Sequence, residues 1–495
     1  MILDARSIPQ GQIVESDVCI IGGGAVGITL AREFQDSEFR TILLESGGES
    51  MDADTQSLYQ GKIVGHDYYR LDSSRLRFLG GTTNHWGGMC MPFDQIDFEY
   101  RPWVPHSGWP LDLSDLLPFY LRAHEVCELG AFNYDEPYWM RRRGKQRLPI
   151  EGGPIVPRIA QFSPPTRFGN RYREVLASRS SVTTYLHANV LELHTGPDGN
   201  LVHSASIGVL GGDRFTVRAK IFVLAAGAIE NARIMLLSRD VADSGIGNQH
   251  DVVGRYFMER VNYRSGVFVA EDGDDWEPFF QKDVLTDCGV NGYLGTHPDW
   301  QRDSKVMNSS LHLHATEAES LGERASVALS AFWDKSFGDG VVSANFYNIW
   351  HDVEPVPNPE SRVLLSDDID ELGQPKIQLD WRLTPEIEGR TIRKAVKEFA
   401  QEMGRQELGR VRMDMPDRGN DWSETVVGSF HQMGTTRMHS DPRFGVADKN
   451  CKVHDIENLY VTGSSVFPTS GQANPTLTIV ALALRLGDRI AEILS

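Results

Sequence analysis

Two polar residues near the end of the chain stand where acid–base chemistry can be done. His431 lies in Ser429-Phe-His431-Gln-Met-Gly434-Thr435, just ahead of a glycine-containing turn. A histidine of near-neutral pKa is the natural base for taking a hydroxyl proton while hydride leaves a carbinol carbon. Asn474 stands before Pro475 and Thr476 at the mouth of an apolar run with helical spacing. The start of a helix offers positive potential to a developing anion. Each residue also has a plainer reading: His431 as a core histidine satisfied by backbone, Asn474 as a helix cap. Other chemistries find no support. Gly463-Ser-Ser465-Val-Phe467 lacks the closing glycine of a nucleophile elbow, and His431, His439 and His454 lack metal-ligand spacing. No phosphate-binding G-x-x-x-x-G-K-[ST] loop is present.

The elements that must position these residues begin at the other end of the chain. Asp17-Val-Cys-Ile-Ile21 is a continuous apolar run, the pattern of a strand buried on both faces. It runs into Gly22-Gly-Gly24-Ala-Val-Gly27, then into a helical pattern over Ile28–Phe34 and a second strand, Thr41–Leu44, ending in Glu45. Strand, G-x-G-x-x-G, helix, strand and acid form the dinucleotide fingerprint in its full context. Gly22 permits the tight turn, Gly24 the approach of a pyrophosphate to the helix N-terminus, and Gly27 close packing of helix on strand. Glu45 is placed to accept both ribose hydroxyls. The fingerprint alone does not choose between NAD and FAD.

Further along, Ser181–Leu193 reads as strands, Pro197-Asp-Gly-Asn200 as a turn, and Phe222–Gly227 as a buried strand followed at once by a helix over Ala228–Leu237. Residues 101–159 are rich in Pro, Trp and Tyr with little regular period. Alternating runs such as Val341–Phe346 and Arg362–Leu365 predict an antiparallel sheet between about 261 and 380. A helix follows from Pro385 to about Gly404, with Thr384 as its cap. Leu459–Thr462 is a short buried strand, and the last helix, from Pro475, returns the C-terminus to the N-terminal fold.

At 495 residues the chain is too long for one ordinary core. With 49 basic and 68 acidic residues its formal charge is −19, which disfavours a nucleic acid or an anionic membrane surface and suits a neutral or cationic small molecule. No apolar stretch reaches the roughly 18 residues of a membrane span, and Met1–Glu15 lacks the features of a signal peptide. The five cysteines are scattered with no C-x-x-C pair. A cytoplasmic location is the expectation.

The ordered set of these segments resembles the glucose–methanol–choline (GMC) oxidoreductases. It runs through Ile21–Gly27 and Glu45, Leu79-Gly-Gly-Thr-Thr-Asn-His-Trp-Gly-Gly88 and Ala225–Arg233. His431–Thr435, Asn458–Val461, Ser465–Thr469, Asn474–Thr478 and Ala481–Arg485 complete it. The resemblance implies that the dinucleotide is FAD. His431 then falls on the family's general base, with hydride passing to flavin N5, and Asn474 on the partner that orients the substrate oxygen. It implies cofactor contacts at Gly22, Gly24, Gly27, Glu45, Ser46, Gly81, Thr82, Asn84, His85, Val190, Gly227, Gly463, Ser464, Pro475 and Thr476. Asn84-His85-Trp86 is similar to the Thr-His-Trp of pyranose 2-oxidases, whose histidine is bonded to the flavin. Asn in place of Thr, and Gly87-Gly88 after it, depart from that pattern, so covalent linkage through His85 and simple packing both stay open.

Other segments, such as Ser107–Tyr120 and Pro357–Val363, resemble bacterial sugar- and glycoside-oxidising members. The expected activity is oxidation of a hydroxyl of a sugar, glycoside or amino sugar, with dioxygen or a quinone or dye as acceptor. A lyase on the same fold and oxidation of a non-sugar alcohol are the alternatives. The expected fold is α/β. A Rossmann-like FAD-binding domain with a parallel sheet is drawn from residues 1–100, 190–260 and 425–495. A substrate domain from 101–189 and 261–424 has a mostly antiparallel sheet and flanking helices.

Overall fold

The computed structural model describes all residues except 151, 179–180, 272–275, 317–344 and 416–420. One sheet is built around the strand Ile13–Ile21, whose Val18, Cys19, Ile20 and Ile21 are all buried, as the unbroken apolar run requires. It pairs in parallel with Thr41–Leu44 on one side and Arg214–Leu224 on the other. Val182–Leu186 and then Ile2–Asp4 extend the parallel edge. On the opposite edge Arg214–Leu224 is long enough to serve two partners. Its first half pairs antiparallel with Val202–Gly208, and Phe222–Leu224 pairs in parallel with Leu459–Val461. Asn189–Thr195 closes the hairpin through the expected turn.

The fingerprint helix is Ala25–Glu33. A Cβ on Gly27 would stand 1.9 Å from the Gly22 carbonyl oxygen, so only glycine lets this helix lie so close to the turn below it. The C-terminal helix, Pro475–Leu494, packs on it and on the helix Leu113–Val126. Leu477, Val480, Ala481, Leu484 and Ile490 form its buried face, as their spacing predicts.

A second sheet is antiparallel throughout. Its order is Gly409–Met413, Val261–Ala270, Asn345–Val353, Ser309–Thr316, Gly289–Thr296, Ile155–Phe162 and Met89–Cys90. The helix Pro385–Arg405 covers it with Val396, Phe399 and Met403. A small third sheet joins Arg362–Ile369, Pro375–Asp380 and Gly61–Ile63. Residues 341–344 of the expected strand Val341–Phe346 lie outside the described residues; the described strand starts at Asn345.

Three expectations change. Val182–Leu186 sits inside the first sheet, between Ile2–Asp4 and Thr41–Leu44, so the expected boundary at 189/190 falls after a strand that belongs with the dinucleotide fold. The aperiodic stretch 101–159 holds two helices, Leu113–Val126 and Glu136–Arg143. Pro118 sits inside the first and masks it from a reading by period, while a capping box formed by Asp112 and Asp115 starts it. Thr384 precedes the long helix but makes no side-chain cap.

Candidate active site

A single elongated cavity of about 500 Å³ joins the glycine turn at one end to His431 and Asn474 at the other. At the first end, Gly22 has φ +111° and its backbone lies against Ala225 and Ala226. A Cβ on Gly24 would meet nothing within 4 Å, so space is kept there above the helix N-terminus. Glu45 is buried, which raises its pKa. Its two carboxylate oxygens accept the Gly23 N–H at 2.9 Å and the Gly47 N–H at 2.8 Å. Oε1 also accepts the Ser46 hydroxyl at 3.4 Å, while Oε2 keeps a further lone pair for a ligand hydroxyl. Ser46, Val190, Gly227, Gly463, Ser464, Pro475 and Thr476 line the same cavity.

The middle wall is the one-turn helix Gly81–Asn84. Gly81 and Thr82 face the cavity, and a Cβ on Gly81 would lie 3.2 Å from Gly24 Cα. Asn84 does not line the cavity. Its amide donates to the Leu79 and Gly81 carbonyls, each at 3.0 Å, and so braces the turn. His85 follows in the lining, with its pKa lowered by partial burial and by Arg167. Arg75 and Arg77 also line this stretch. They are held by Glu230, at 2.9 and 3.4 Å, and lie over the Tyr59 ring. Burial opposes ionisation of Glu230, yet Arg233, Arg75 and Arg77 together bring its pKa down to about 2.

At the far end, His431 is held by its backbone. Its N–H donates to Glu259 Oε1 at 2.8 Å, and paired backbone bonds between Met258 and Met433, each 2.9 Å, clip its loop to the start of the second sheet. Nδ1 of the ring is buried with no hydrogen-bond partner among the described residues, so the reading as a backbone-satisfied core histidine does not hold. Burial and Arg260 push its pKa well below the ordinary histidine range, with Asp352 opposing. The imidazole is therefore neutral, the form that accepts a proton.

The plain cap reading of Asn474 does not hold either, because its side chain makes no cap bond. Its Oδ1 accepts from Arg260 Nη1 at 2.7 Å, and its Nδ2 donates to the Met89 carbonyl at 3.4 Å. Arginine only donates, so this bond fixes the amide oxygen toward Arg260 and turns the NH2 group the other way. Sequence reasoning missed Arg260. It is 3% exposed, 3.7 Å from Asp352, and its Nε and Nη2 have no partner among the described residues. A charged doublet, Glu259-Arg260, between Phe257-Met258 and Val261 was the available signal.

This lining fits a dinucleotide flavin. Three helix starts, at Ala25, Ala228 and Pro475, open on one cavity, and none has its N–H groups satisfied by a capping side chain. Space is kept above Gly24, and Glu45 can take ribose hydroxyls. Residues 17–246 match a sequence profile described as FAD dependent oxidoreductase, and residues 357–483 match one described as GMC oxidoreductase. The chain carries an FAD-dependent oxidoreductase domain and a GMC oxidoreductase C-terminal domain. The enzyme has FAD as its cofactor and a mixed α/β fold with parallel and antiparallel sheets.

Among characterised relatives, it is 29% identical to paromamine 6'-oxidase of Streptomyces fradiae, over 96% of this chain and 91% of that protein. It is 25% identical to 6'''-hydroxyparomomycin C oxidase of Streptomyces lividus, over the same shares, 96% and 91%. Among solved structures, formate oxidase of Aspergillus oryzae matches with a TM-score of 0.60 at 15% identity, covering 98% of this chain and 99% of that one. Pyridoxine 4-oxidase of Mesorbium loti matches with a TM-score of 0.57 at 18% identity, covering 96% and 98%. These two structures support the fold alone. No helix among the described residues is long and apolar enough to cross a membrane, and no group of described residues is arranged to hold a metal.

Proposed function

We propose that the enzyme oxidises a hydroxyl-bearing carbon of a sugar, glycoside or amino sugar to a carbonyl, with His431 as base and Asn474 as the group that holds the substrate oxygen. The observation that carries this reading is the meeting of a neutral His431 with Asn474 in one cavity with the glycine turn. The names of the relatives, paromamine 6'-oxidase, C-glycoside 3-oxidase and fructose dehydrogenase large subunit, support the substrate class. Bound FAD supplies the two-electron acceptor for the hydride. The chain's own residues do the rest. Neutral His431 takes the hydroxyl proton. Asn474 Nδ2, turned from Arg260, donates to the oxygen as negative charge grows on it, and the helix start at Pro475 adds positive potential. His85 is the residue through which a covalent bond to FAD would form, and its lowered pKa keeps the imidazole neutral and nucleophilic.

Dioxygen or a quinone or dye reoxidises the enzyme, and the five free, buried cysteines suit a reducing cytoplasm. The test is anaerobic mixing of the purified holoenzyme with sugars and amino sugars while the flavin band is followed. His431→Ala slows flavin reduction by roughly 10²–10⁴-fold with FAD still bound. An unchanged reduction rate refutes the assignment, and a flavin that no alcohol reduces favours a lyase.

A further inference from the structure

The loop that presents His431 also carries an aromatic ring that the chemistry above does not use. Phe430 has φ +61°, in the left-handed region that a bulky residue adopts only at a cost in energy. The strain is held from below by Glu259. Its Oε1 accepts the N–H of Ser429 at 3.1 Å and of His431 at 2.8 Å, so the chain on both sides of Phe430 is tied to one buried carboxylate. Its Oε2 accepts the Tyr68 hydroxyl at 2.5 Å. Glycine is the residue that adopts this region freely, as Gly434 does in the same loop with φ +87°. Instead a phenyl ring, 45% exposed, stands at the strained position. One face stacks on Tyr69, with ring centroids 4.2 Å apart and planes 27° from parallel. Tyr69 is itself fixed, donating its hydroxyl to the Gly428 carbonyl at 3.2 Å. Phe430 lines the same cavity as His431 and Asn474 and keeps nearly half of its surface exposed.

We propose that Phe430, backed by Tyr69, is a platform for the ring on the far side of a glycosidic bond, so that the preferred substrate is a glycoside and not a free monosaccharide. This rests on the sugar-oxidising reading and adds a subsite to it. An aromatic face carries partial negative charge. It stacks on the C–H face of a pyranose or on an aryl aglycone, and it needs no hydrogen-bond partner at the wet rim of a cavity. The strained backbone is kept because the ring, not the turn, is the element being placed.

The test compares kcat/KM on D-glucose, D-galactose and 2-amino-2-deoxy-D-glucose with that on the phenyl β-glycoside of each. Wild-type holoenzyme, Phe430→Gly and Phe430→Leu are used. Glycine adopts φ +61° freely, so the first variant removes the ring without refolding the loop; leucine removes the aromatic face at the same strained backbone. FAD content and thermal midpoint monitor folding. The expected result is a preference for the glycosides of roughly 10-fold, expressed in KM, that falls toward one in both variants and is retained in Phe430→Trp. If sugars are oxidised but the wild type shows no such preference, or the variants keep it, the platform is refuted while the proposed reaction stands. If none of the six compounds reduces the flavin, the sugar-oxidising reading itself falls and the platform with it.

Discussion

Replacing Arg260 by methionine is the sharpest perturbation of this site, because Arg260 would touch the reaction through two separate neighbours. It donates to Asn474 Oδ1 at 2.7 Å, and its charge helps hold the His431 pKa down. A hydrogen bond from a charged donor is worth about 1.5–3 kcal/mol. If that energy is what keeps the Asn474 amide facing the substrate, its loss slows flavin reduction by roughly 10–100-fold, at about 1.4 kcal/mol per decade. The same substitution removes the positive neighbour of His431 and leaves Asp352, which raises the pKa. The acid-side fall of the rate lies below the ordinary histidine value in the wild type and moves upward in Arg260→Met. The assay is the anaerobic flavin-reduction rate against pH, combined with a double-mutant cycle with Asn474→Ala. If Arg260 acts through Asn474, the double variant is little slower than Asn474→Ala alone. Because Arg260→Met removes the cation 3.7 Å from half-buried Asp352, Arg260→Met/Asp352→Asn serves as the control for simple destabilisation. Fully additive losses together with an unmoved acid limb refute the reasoning.

Four further outcomes can be measured. Gly24→Ala adds a Cβ with no protein atom within 4 Å, so it leaves the thermal midpoint of the apoprotein unchanged and weakens FAD binding at least 10-fold in a reconstitution titration. Gly27→Ala instead drives a Cβ to 1.9 Å from the Gly22 carbonyl and costs roughly 1–3 kcal/mol or more of stability, read by denaturant unfolding. Asn84→Ala breaks two 3.0 Å bonds that brace the turn and lowers stability by about 1–3 kcal/mol while FAD content is retained. Acid precipitation places the flavin colour: if His85 is linked, colour stays with the wild-type pellet and passes to the supernatant in His85→Ala, whereas colour in the wild-type supernatant refutes a linkage.

The nucleotide end of the site was legible because it is written in contiguous residues. Ile21, Gly22, Gly24, Gly27 and Glu45 are a local grammar of turn, helix start and strand end, and Ala228–Leu237 and Pro475–Leu494 lie where periodicity and Asn-Pro put them. The substrate end was only half legible. Arg260, Asp352 and Glu259 act through contacts between the two sheets and the 427–433 loop, and no spacing in the chain encodes those contacts. The bracing role of Asn84 was not legible, because its amide donors are spent within five residues of itself on carbonyls that no motif marks. Pro118 hid a helix because a mid-helix proline usually argues against one.

Along one edge the strand Arg214–Leu224 serves one partner just before it in the chain, Val202–Gly208, and another far later, Leu459–Val461. During synthesis on the ribosome, the edge at Phe222–Leu224 has no mate until Leu459–Val461 emerges. At about 5–20 residues per second that delay is on the order of tens of seconds. Through it an apolar strand edge stands open to other nascent chains. Residues 474–494 also bring Asn474 and the helix that closes the cavity, so the cofactor site is complete only once they have emerged. A chain cut just before Leu459 would keep that edge open and lack the closing helix, a species for chaperones and proteases to clear and not a weak enzyme.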